Sequence, residues 1–337
     1  MLPASPLIRA VLAPLDLCGR HATTVLFLAV FIGLALPDLA ALARPLLPTA
    51  VVLLLTTTLL RLDWPAIGRE LRRPGLQLLL FPWQQLVLPV AVWAVLQLLP
   101  LPRSLTVALV LMAAAPPIMS AAALAILLGL EGALALVASL IATLLTPFVL
   151  PPVALALLGL ELGIGLVEFM TRLALLIGLA VAAALVLRRL IGRPRLAQLA
   201  RPLDGAVVLL MLVFVVGIMD GVTERALSDP AGAFLWFIAA CVANPLLQLL
   251  GTLAFAWLGR RRALTVGLLA GNRNMGLLLA ALPGAVDAEV ALYFGLAQIP
   301  MYVLPAVMRP LYRRLLPPES SPQPPGEHSR LSANGRR

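Results

Sequence analysis

The chain contains two apolar stretches that are interrupted at their middle, AAPPIMSAAALAILLG (114–129) and VGLLAGNRNMGLLLAALPG (266–284). The first interruption is Pro116-Pro117, and the second is the run from Gly271 to Asn274. Lipid cannot hydrogen-bond the backbone groups that a broken helix exposes, so such breaks survive only where they line a protein-enclosed cavity. The two stretches therefore predict a site inside a membrane protein.

The composition indicates an integral membrane protein. Of the 337 residues, 61% are hydrophobic and 12% are charged, whereas soluble domains carry about 25% charged residues. The net charge of +10 comes from arginine alone, because the chain has no lysine. The arginines lie between apolar spans without an aromatic-basic module, so they indicate membrane topology and not nucleic-acid binding.

The apolar pattern predicts ten transmembrane helices, since a helix needs about 20 apolar residues to cross a bilayer. The predicted spans are 23–41, 45–60, 75–99, 104–128, 132–157, 167–187, 203–222, 232–257, 263–283 and 288–308. The predicted domains are a cytoplasmic N-tail (1–22), a first five-helix repeat (23–160), a second repeat (161–315) and a disordered cytoplasmic tail (316–337).

The arginines predict the orientation of these spans. With the N-terminus inside, the cytoplasmic stretches hold 20 of the 25 arginines, in agreement with the positive-inside rule. Arg44, Arg103, Arg172 and Arg225 fall on the opposite side, and Arg273 falls inside the membrane. Both termini are therefore expected to be cytoplasmic.

The position of the breaks predicts the architecture. Each break falls in the fourth span of its half, and two halves of five spans must be inverted relative to each other. The fold class expected is all-α, with two inverted five-helix repeats whose broken helices four and nine cross at the membrane midplane. Matched interrupted segments of this kind mark the binding site of secondary transporters.

Several motifs resemble the bile acid:sodium symporter family over roughly residues 24–315. They are LALPDLAALARPLLPTAVVLLLTTTLL (34–60), Gln84 followed by Pro89, the stretch from Pro116 to Pro147, and GNRNMGLLLA (271–280). The resemblance implies a core of spans three to five and eight to ten that moves against a panel of spans one, two, six and seven.

The same resemblance implies a sodium site that this chain has largely lost. Leu269 stands where sodium-coupled members have an acid, Arg273 where they have glutamine, and Ala121-Ala122 where they have Ser-Asn. Gln84, Ser139 and Asn274 remain of the implied ligands.

Arg273 is the strongest candidate for a functional residue. Placing a charged side chain at mid-membrane costs about 2.5–3.5 kcal/mol of free energy on insertion scales, so its presence there needs a reason. One interpretation is that it binds an anionic substrate. A second is that its fixed charge replaces sodium and faces the C-terminal carbonyls of the first half-helices. A third is that it is a structural arginine that bonds backbone oxygens.

The other candidate residues are polar groups close to the breaks. Asn272 and Asn274 satisfy freed backbone groups or contact substrate. Ser120 is a candidate substrate- or ion-binding residue, although we favour a role as the cap of the second half-helix of the first break. Pro116, Pro117 and Gly271 are expected to break the helices. Asn244 and Gln248 face the site or hold helices together.

The predicted function is secondary transport of a small organic anion, with reduced or no sodium dependence. The alternatives are a non-transporting membrane sensor or scaffold on the same fold, and a sodium-coupled symporter with a rebuilt ion site. No catalytic motif, metal cluster or cofactor signature is present, so an enzyme is not expected. The proline-rich, lysine-free composition favours a GC-rich bacterial genome and hence a bacterial inner membrane, and no feature indicates an oligomeric state.

Overall fold

The computed structural model describes residues 22–62, 64–72, 74–159, 164–282 and 286–316. Nearly all of the two expected tails, and the expected boundary between the repeats at 160–161, lie outside these ranges. Within the described residues every regular element is helical, and the single β-type pairing is an isolated antiparallel bridge between Pro117 and Arg273. The expected all-α class is confirmed for this part of the chain.

The described helices fall into two groups along the chain. The first group is α1 (Ala22–Ala35), α2 (Pro37–Ala43), α3 (Leu47–Leu60), α4 (Trp64–Leu71), α5 (Pro74–Pro82), α6 (Leu88–Leu96), α7 (Arg103–Ala114), α8 (Ala121–Leu127) and α9 (Gly132–Leu158). The second group is α10 (Leu166–Ile191), α11 (Arg193–Gln198), α12 (Ala200–Ile218), α13 (Val222–Ser228), α14 (Pro230–Ala254), α15 (Arg260–Gly271), α16 (Met275–Ala281), α17 (Ala288–Leu296) and α18 (Gln298–Leu315).

Seven helical runs are long and apolar enough to cross a bilayer. They are Pro37–Leu60, Pro74–Leu96, Gly132–Leu158, Leu166–Ile191, Ala200–Ser228, Pro230–Ala254 and Ala288–Leu315. A multi-pass membrane protein is therefore supported by the structure. The count of ten spans and the inverted repeats stay predictions.

Both predicted helix breaks are present. The first lies between the end of α7 at Ala114 and the start of α8 at Ala121. The second lies between the end of α15 at Gly271 and the start of α16 at Met275. Pro116 and Pro117 lack the amide donors that would continue α7, so the chain leaves the helix there.

The predicted boundary between spans one and two was wrong. Span one is predicted to end at residue 41, but α1 ends at Ala35 and a continuous run starts at Pro37. Leu36 has non-helical backbone angles (φ −125°, ψ 75°), and a proline without an amide hydrogen is favoured at the first position of a new helix. Arg44 and Pro45 do not end that run, because they form a single 3₁₀ turn within it.

Helices α14 and α15 approach each other closely through small residues. A Cβ atom added to Gly271 would come within 2.7 Å of the Asn244 carbonyl oxygen, and one added to Gly251 within 2.8 Å of the Ala270 Cβ. Gly267 is as tightly enclosed, against the Gln248 carbonyl oxygen and Thr252. Small residues allow such backbone contact between membrane helices, and here the contact fixes where the second break lies.

The described ion pairs and charged hydrogen bonds sort into two groups that match the two predicted sides of the membrane. On the predicted outer side they are Arg44–Asp220 (2.8 Å), Arg225–Glu289 (3.2 Å), Arg172–Glu168 (2.5 Å) and Ser104–Glu289, and on the predicted cytoplasmic side Arg61–Asp204 and Arg262–Glu131 (3.2 Å). None of these described pairs joins residues from opposite predicted sides. The grouping agrees with the spans predicted from the sequence.

We predict that Gly267→Ala lowers the free energy of unfolding by roughly 1–3 kcal/mol, because the added methyl overlaps the backbone of α14. The matched control is Gly178→Ala on α10, where nothing lies within 4 Å of an added Cβ. That variant should keep its stability or gain slightly, since alanine is the better helix former. Thermal unfolding of both proteins in the same detergent tests this, and equal midpoints would contradict the close packing.

Candidate functional site

The two breaks satisfy each other's backbone groups at a crossover. The amide of Ile118 donates to the carbonyl oxygen of Asn272 (3.0 Å), and the amide of Asn274 donates to the carbonyl oxygen of Pro116 (2.8 Å). The predicted crossing of the two broken segments is therefore present in the structure. Groups that would otherwise face lipid or an empty interior are paired, which is the condition for breaking a helix at membrane depth.

The Arg273 side chain fills the space beside this crossover. It has no exposed surface, and its Nε donates to the carbonyl oxygen of Ala270 (2.8 Å). Its Nη1 donates to the carbonyl oxygens of Ala115 (2.9 Å) and Gln84 (3.4 Å). The guanidinium therefore joins three parts of the chain that are far apart in sequence.

The electrostatic partners of Arg273 are helix ends. Ala115 directly follows α7, and Ala270 lies in the last turn of α15, so both carbonyls belong to the negative ends of helix dipoles. The carbonyls of a last helical turn also lack partners within their own helix. Among the described buried residues Arg273 is the one charged side chain, so these dipoles replace a carboxylate counter-ion.

The third carbonyl is freed by a local irregularity in the helix. Residues Trp83–Val87 form a π-helical turn in which the Leu88 amide donates to the Trp83 carbonyl. The same spacing would pair the Gln84 carbonyl with the amide of Pro89, but proline has no amide hydrogen. The Gln84 carbonyl is thus left to Arg273, which gives the spacing of Gln84 and Pro89 in the sequence a physical reason.

Several buried side-chain polar atoms carry no hydrogen bond within the described part of the chain. Among them are both ends of the Gln84 and Gln85 side-chain amides, Ser139 Oγ, Asn272 Oδ1 and Arg273 Nη2. Gln84, Ser139, Asn272 and Arg273 were all singled out from the sequence, and all four are buried. Such atoms are costly to bury without partners, so they are the polar groups that a ligand could satisfy.

The asparagines next to Arg273 bond to nearby backbone. The Asn274 side-chain oxygen accepts from the Leu277 amide (3.1 Å) and caps α16, and Asn272 Nδ2 donates to the Leu268 carbonyl (2.8 Å). The expectation that Ser120 caps α8 was wrong. Ser120 already has helical backbone angles (φ −69°, ψ −10°), whereas a capping residue needs the non-helical angles that Asn274 has.

A chain of side-chain hydrogen bonds holds the end of α15. The Tyr312 hydroxyl donates to Gln248 Oε1 (2.8 Å), Gln248 Nε2 donates to Asn244 Oδ1 (2.7 Å), and Asn244 Nδ2 donates to the Gly271 carbonyl (2.9 Å). Asn244 and Gln248 were expected either to face the site or to hold helices together. These hydrogen bonds agree with the second role. Tyr312 is not predictable as part of this chain of hydrogen bonds from the sequence, because its position in the last turns of a membrane helix also fits an interfacial aromatic residue.

Two cavities lie outside the crossover, towards the predicted outer side. A cavity of about 320 Å³ is enclosed by the α2–α3 corner, the end of α12, α16 and α17. A second, of about 640 Å³, adjoins it and shares Arg44, Asp220 and Ala291 with it. Arg273 lines neither cavity. In the sequence Arg44 is recognisable only as a topology signal, and no motif singles out Asp220 or Ala291.

Among the described residues, the crossover has no acidic ligand of the kind that a buried sodium ion usually has. Sodium prefers oxygen ligands with a charged group among them, and no carboxylate is buried in the described part of the chain. The backbone carbonyls that point into this space already accept from the guanidinium of Arg273. In the described residues no three His, Cys, Asp or Glu side chains lie together as a metal site would require.

Neither a scan against protein-family models nor a search of curated proteins finds a match to this chain. The interpretation of the site therefore depends on its residues and their contacts. The family resemblance drawn from the motifs stays a prediction.

We predict that Tyr312→Phe lowers the free energy of unfolding by about 1 kcal/mol, since it leaves the buried Gln248 Oε1 without its donor. The matched control is Tyr302→Phe on the same helix, whose hydroxyl has no hydrogen bond in the described structure. Thermal unfolding of the two variants should separate them. If both behave alike, the hydrogen-bond chain does not contribute to the stability of the crossover.

Proposed function

We propose that this protein is a secondary transporter that moves a small organic anion across the membrane by alternating access. The observation that carries the proposal is the crossover, in which two broken helices exchange backbone hydrogen bonds around a fully buried charge. A protein whose role was only to span a bilayer gains nothing from two interrupted helices. Transporters use such interruptions to build a site at membrane depth.

The proposal includes ten spans arranged as two inverted five-helix repeats. The seven long runs, the 14-residue α1 and the two broken pairs α7–α8 and α15–α16 together supply ten segments. The antiparallel bridge between Pro117 and Arg273 supports the inversion, because equivalent points of the two halves meet there in opposite directions. The resemblance to the bile acid:sodium symporter family supports the same arrangement.

The proposed setting is a bacterial inner membrane with both termini in the cytoplasm. The distribution of arginines supports this orientation. The orientation was deduced from the predicted spans, and the grouping of the ion pairs supports those spans. The side that carries Arg44 and Arg225 then faces outwards, and the cavities open towards it.

The cavity of about 320 Å³ supports an organic anion as substrate. It lies between spans two and seven on one side and spans nine and ten on the other, which is the boundary between the proposed panel and core. Its lining is largely apolar, with Arg44 at the edge, paired to Asp220 at 2.8 Å. The apolar part of such a substrate would be buried in this cavity. Its acid group would replace the Asp220 carboxylate as the partner of the Arg44 guanidinium.

The proposed role of Arg273 is that of a fixed internal cation. Its bonds to the carbonyls at the ends of α7 and α15 match the charge-replacement interpretation, and its complete burial disfavours direct contact with substrate in this conformation. A transporter with this side chain needs no sodium to neutralise its crossover. Flux is therefore proposed to be independent of a sodium gradient.

We predict that wild-type protein in proteoliposomes takes up at least one of a panel of radiolabelled organic anions, at the same rate with and without a sodium gradient. Arg273→Ala should insert normally but lose transport, since the helix-end carbonyls lose their cation. Arg172→Ala, on the exposed surface of α10, is the control and should transport normally.

The outcomes of this experiment separate the alternatives. Sodium-stimulated flux in the wild type would indicate a rebuilt ion site. Substrate binding without flux would indicate a sensor or scaffold. Normal flux by folded Arg273→Ala would remove both functional interpretations of this arginine and leave the structural one.

We predict that Ala291→Trp strongly reduces flux, because Ala291 borders both cavities and an indole there would obstruct the passage between them. Ala288→Trp is the matched control, since Ala288 is exposed and lines only the second cavity, the one of about 640 Å³. The measurement is initial uptake rate per reconstituted protein. Equal rates for the two variants would place the substrate path elsewhere.

A further inference from the structure

A strongly basic stretch connects α10 to α12. Residues 185–203 contain five arginines and neither aspartate nor glutamate. Arg188 and Arg189 lie at the end of α10, Arg193 and Arg195 lie on α11, and Arg201 lies in the first turn of α12. We call these five residues the arginine corner.

The corner has a fixed shape because one glycine turns the chain. Gly192 is the only residue between α10 and α11, and its φ of +80° suits glycine far better than other residues. Its amide donates to the Arg188 carbonyl (3.1 Å), and its carbonyl accepts from the Leu196 amide (3.1 Å). Leu196 is then buried against Leu60 and Ala184, so α11 is packed in place.

Four arginines of the corner, Arg189, Arg193, Arg195 and Arg201, form no ion pair within the part of the chain that the structure describes. The first acid after it, Asp204, forms an ion pair with Arg61 at the end of α3. Arg189, Arg193, Arg195 and Arg201 are exposed. The corner therefore presents several guanidinium groups together on the surface.

An apolar strip adjoins the corner directly. Leu185, Val186 and Leu190 on the last turns of α10 are 49%, 55% and 75% exposed. In a protein that spans a bilayer such side chains face acyl chains. The arginines of the corner and the apolar side chains of the strip therefore lie next to each other, as the headgroup and the acyl chains of a phospholipid do.

We propose that the arginine corner binds an anionic phospholipid with two phosphates in its headgroup, a lipid of the cardiolipin class. The phosphate oxygens accept hydrogen bonds from the arginines, which favour bidentate contact, and the acyl chains lie along the strip. The positive-inside rule accounts for cytoplasmic arginines, but it requires neither a packed corner nor an adjoining apolar strip. This site is separate from the crossover and does not depend on the proposed transport.

The test is native mass spectrometry of the purified full-length protein with added cardiolipin, phosphatidylglycerol or phosphatidylethanolamine. We expect cardiolipin to be retained about tenfold more than phosphatidylethanolamine, with phosphatidylglycerol in between. The triple variant Arg193→Gln, Arg195→Gln and Arg201→Gln should lose about tenfold in cardiolipin retention.

The matched control is Arg309→Gln, Arg313→Gln and Arg314→Gln on α18. These three arginines are exposed, lie on the same predicted side and adjoin exposed Val307 and Leu311, but they lie within a single helix. Their loss should change cardiolipin retention less than about twofold, because this helix has no turn like the one at Gly192, which brings the arginines of two helices together. Equal losses in the two triple variants would overturn the proposal, as would equal retention of cardiolipin and phosphatidylethanolamine.

A second measurement uses the unmodified protein and so does not depend on how the variants fold. An arginine-selective dicarbonyl reagent should label Arg193 and Arg195 less in the presence of cardiolipin, while labelling of Arg313 and Arg314 stays the same. Uniform protection of all four residues, or protection of none, would contradict a lipid site at the corner.

Discussion

The structure depends on the backbone pairing of two broken helices. Each break exposes amides and carbonyls that a bilayer cannot satisfy, and each supplies the partners that the other lacks. Neither break is stable without the other, so residues more than 150 positions apart in the chain must meet. This requirement explains the close approach of α14 and α15, where glycines remove the side chains that would hold the second break away from its place.

The buried arginine follows from the same constraint. Two helices that end inside the protein point their carbonyl ends towards one another, and those ends carry partial negative charge. Burying a guanidinium costs about 2.5–3.5 kcal/mol on insertion scales, while a hydrogen bond to a charged group contributes about 1.5–3 kcal/mol. The two short bonds from Arg273 to Ala115 and Ala270 are enough to offset that cost. The cation and the helix ends therefore stabilise each other without any carboxylate.

This arrangement has a consequence for the proposed transport. A crossover stabilised by a mobile ion changes its charge when the ion leaves, whereas one stabilised by a side chain keeps its charge throughout a cycle. The proposed substrate path then lies beside the crossover, in the apolar cavity bordered by Arg44 and Asp220. The arginine corner lies at the opposite, predicted cytoplasmic side, where a bound lipid would stabilise α10 to α12 as the stationary part of the protein.

The sequence by itself determined the membrane class, the positions of both helix breaks and the sorting of charges to two sides. These features are local or compositional: proline lacks an amide donor, and arginine is excluded from apolar spans except where it is compensated. The sequence also pointed to Gln84, Asn272 and Arg273, because a polar residue in an apolar span is conspicuous, and the family resemblance added Ser139.

Only the tertiary structure decided what these residues contact. It gave the Arg273 guanidinium three carbonyl partners, showed that Asn274 and not Ser120 caps its half-helix, and connected Tyr312 to Gly271 through Gln248 and Asn244. It also placed the cavities at the α2–α3 corner and the end of α12, where no residue pattern had indicated a site. Contacts of this kind join distant parts of the chain and depend on helix rotation and depth, which hydropathy and spacing leave undefined.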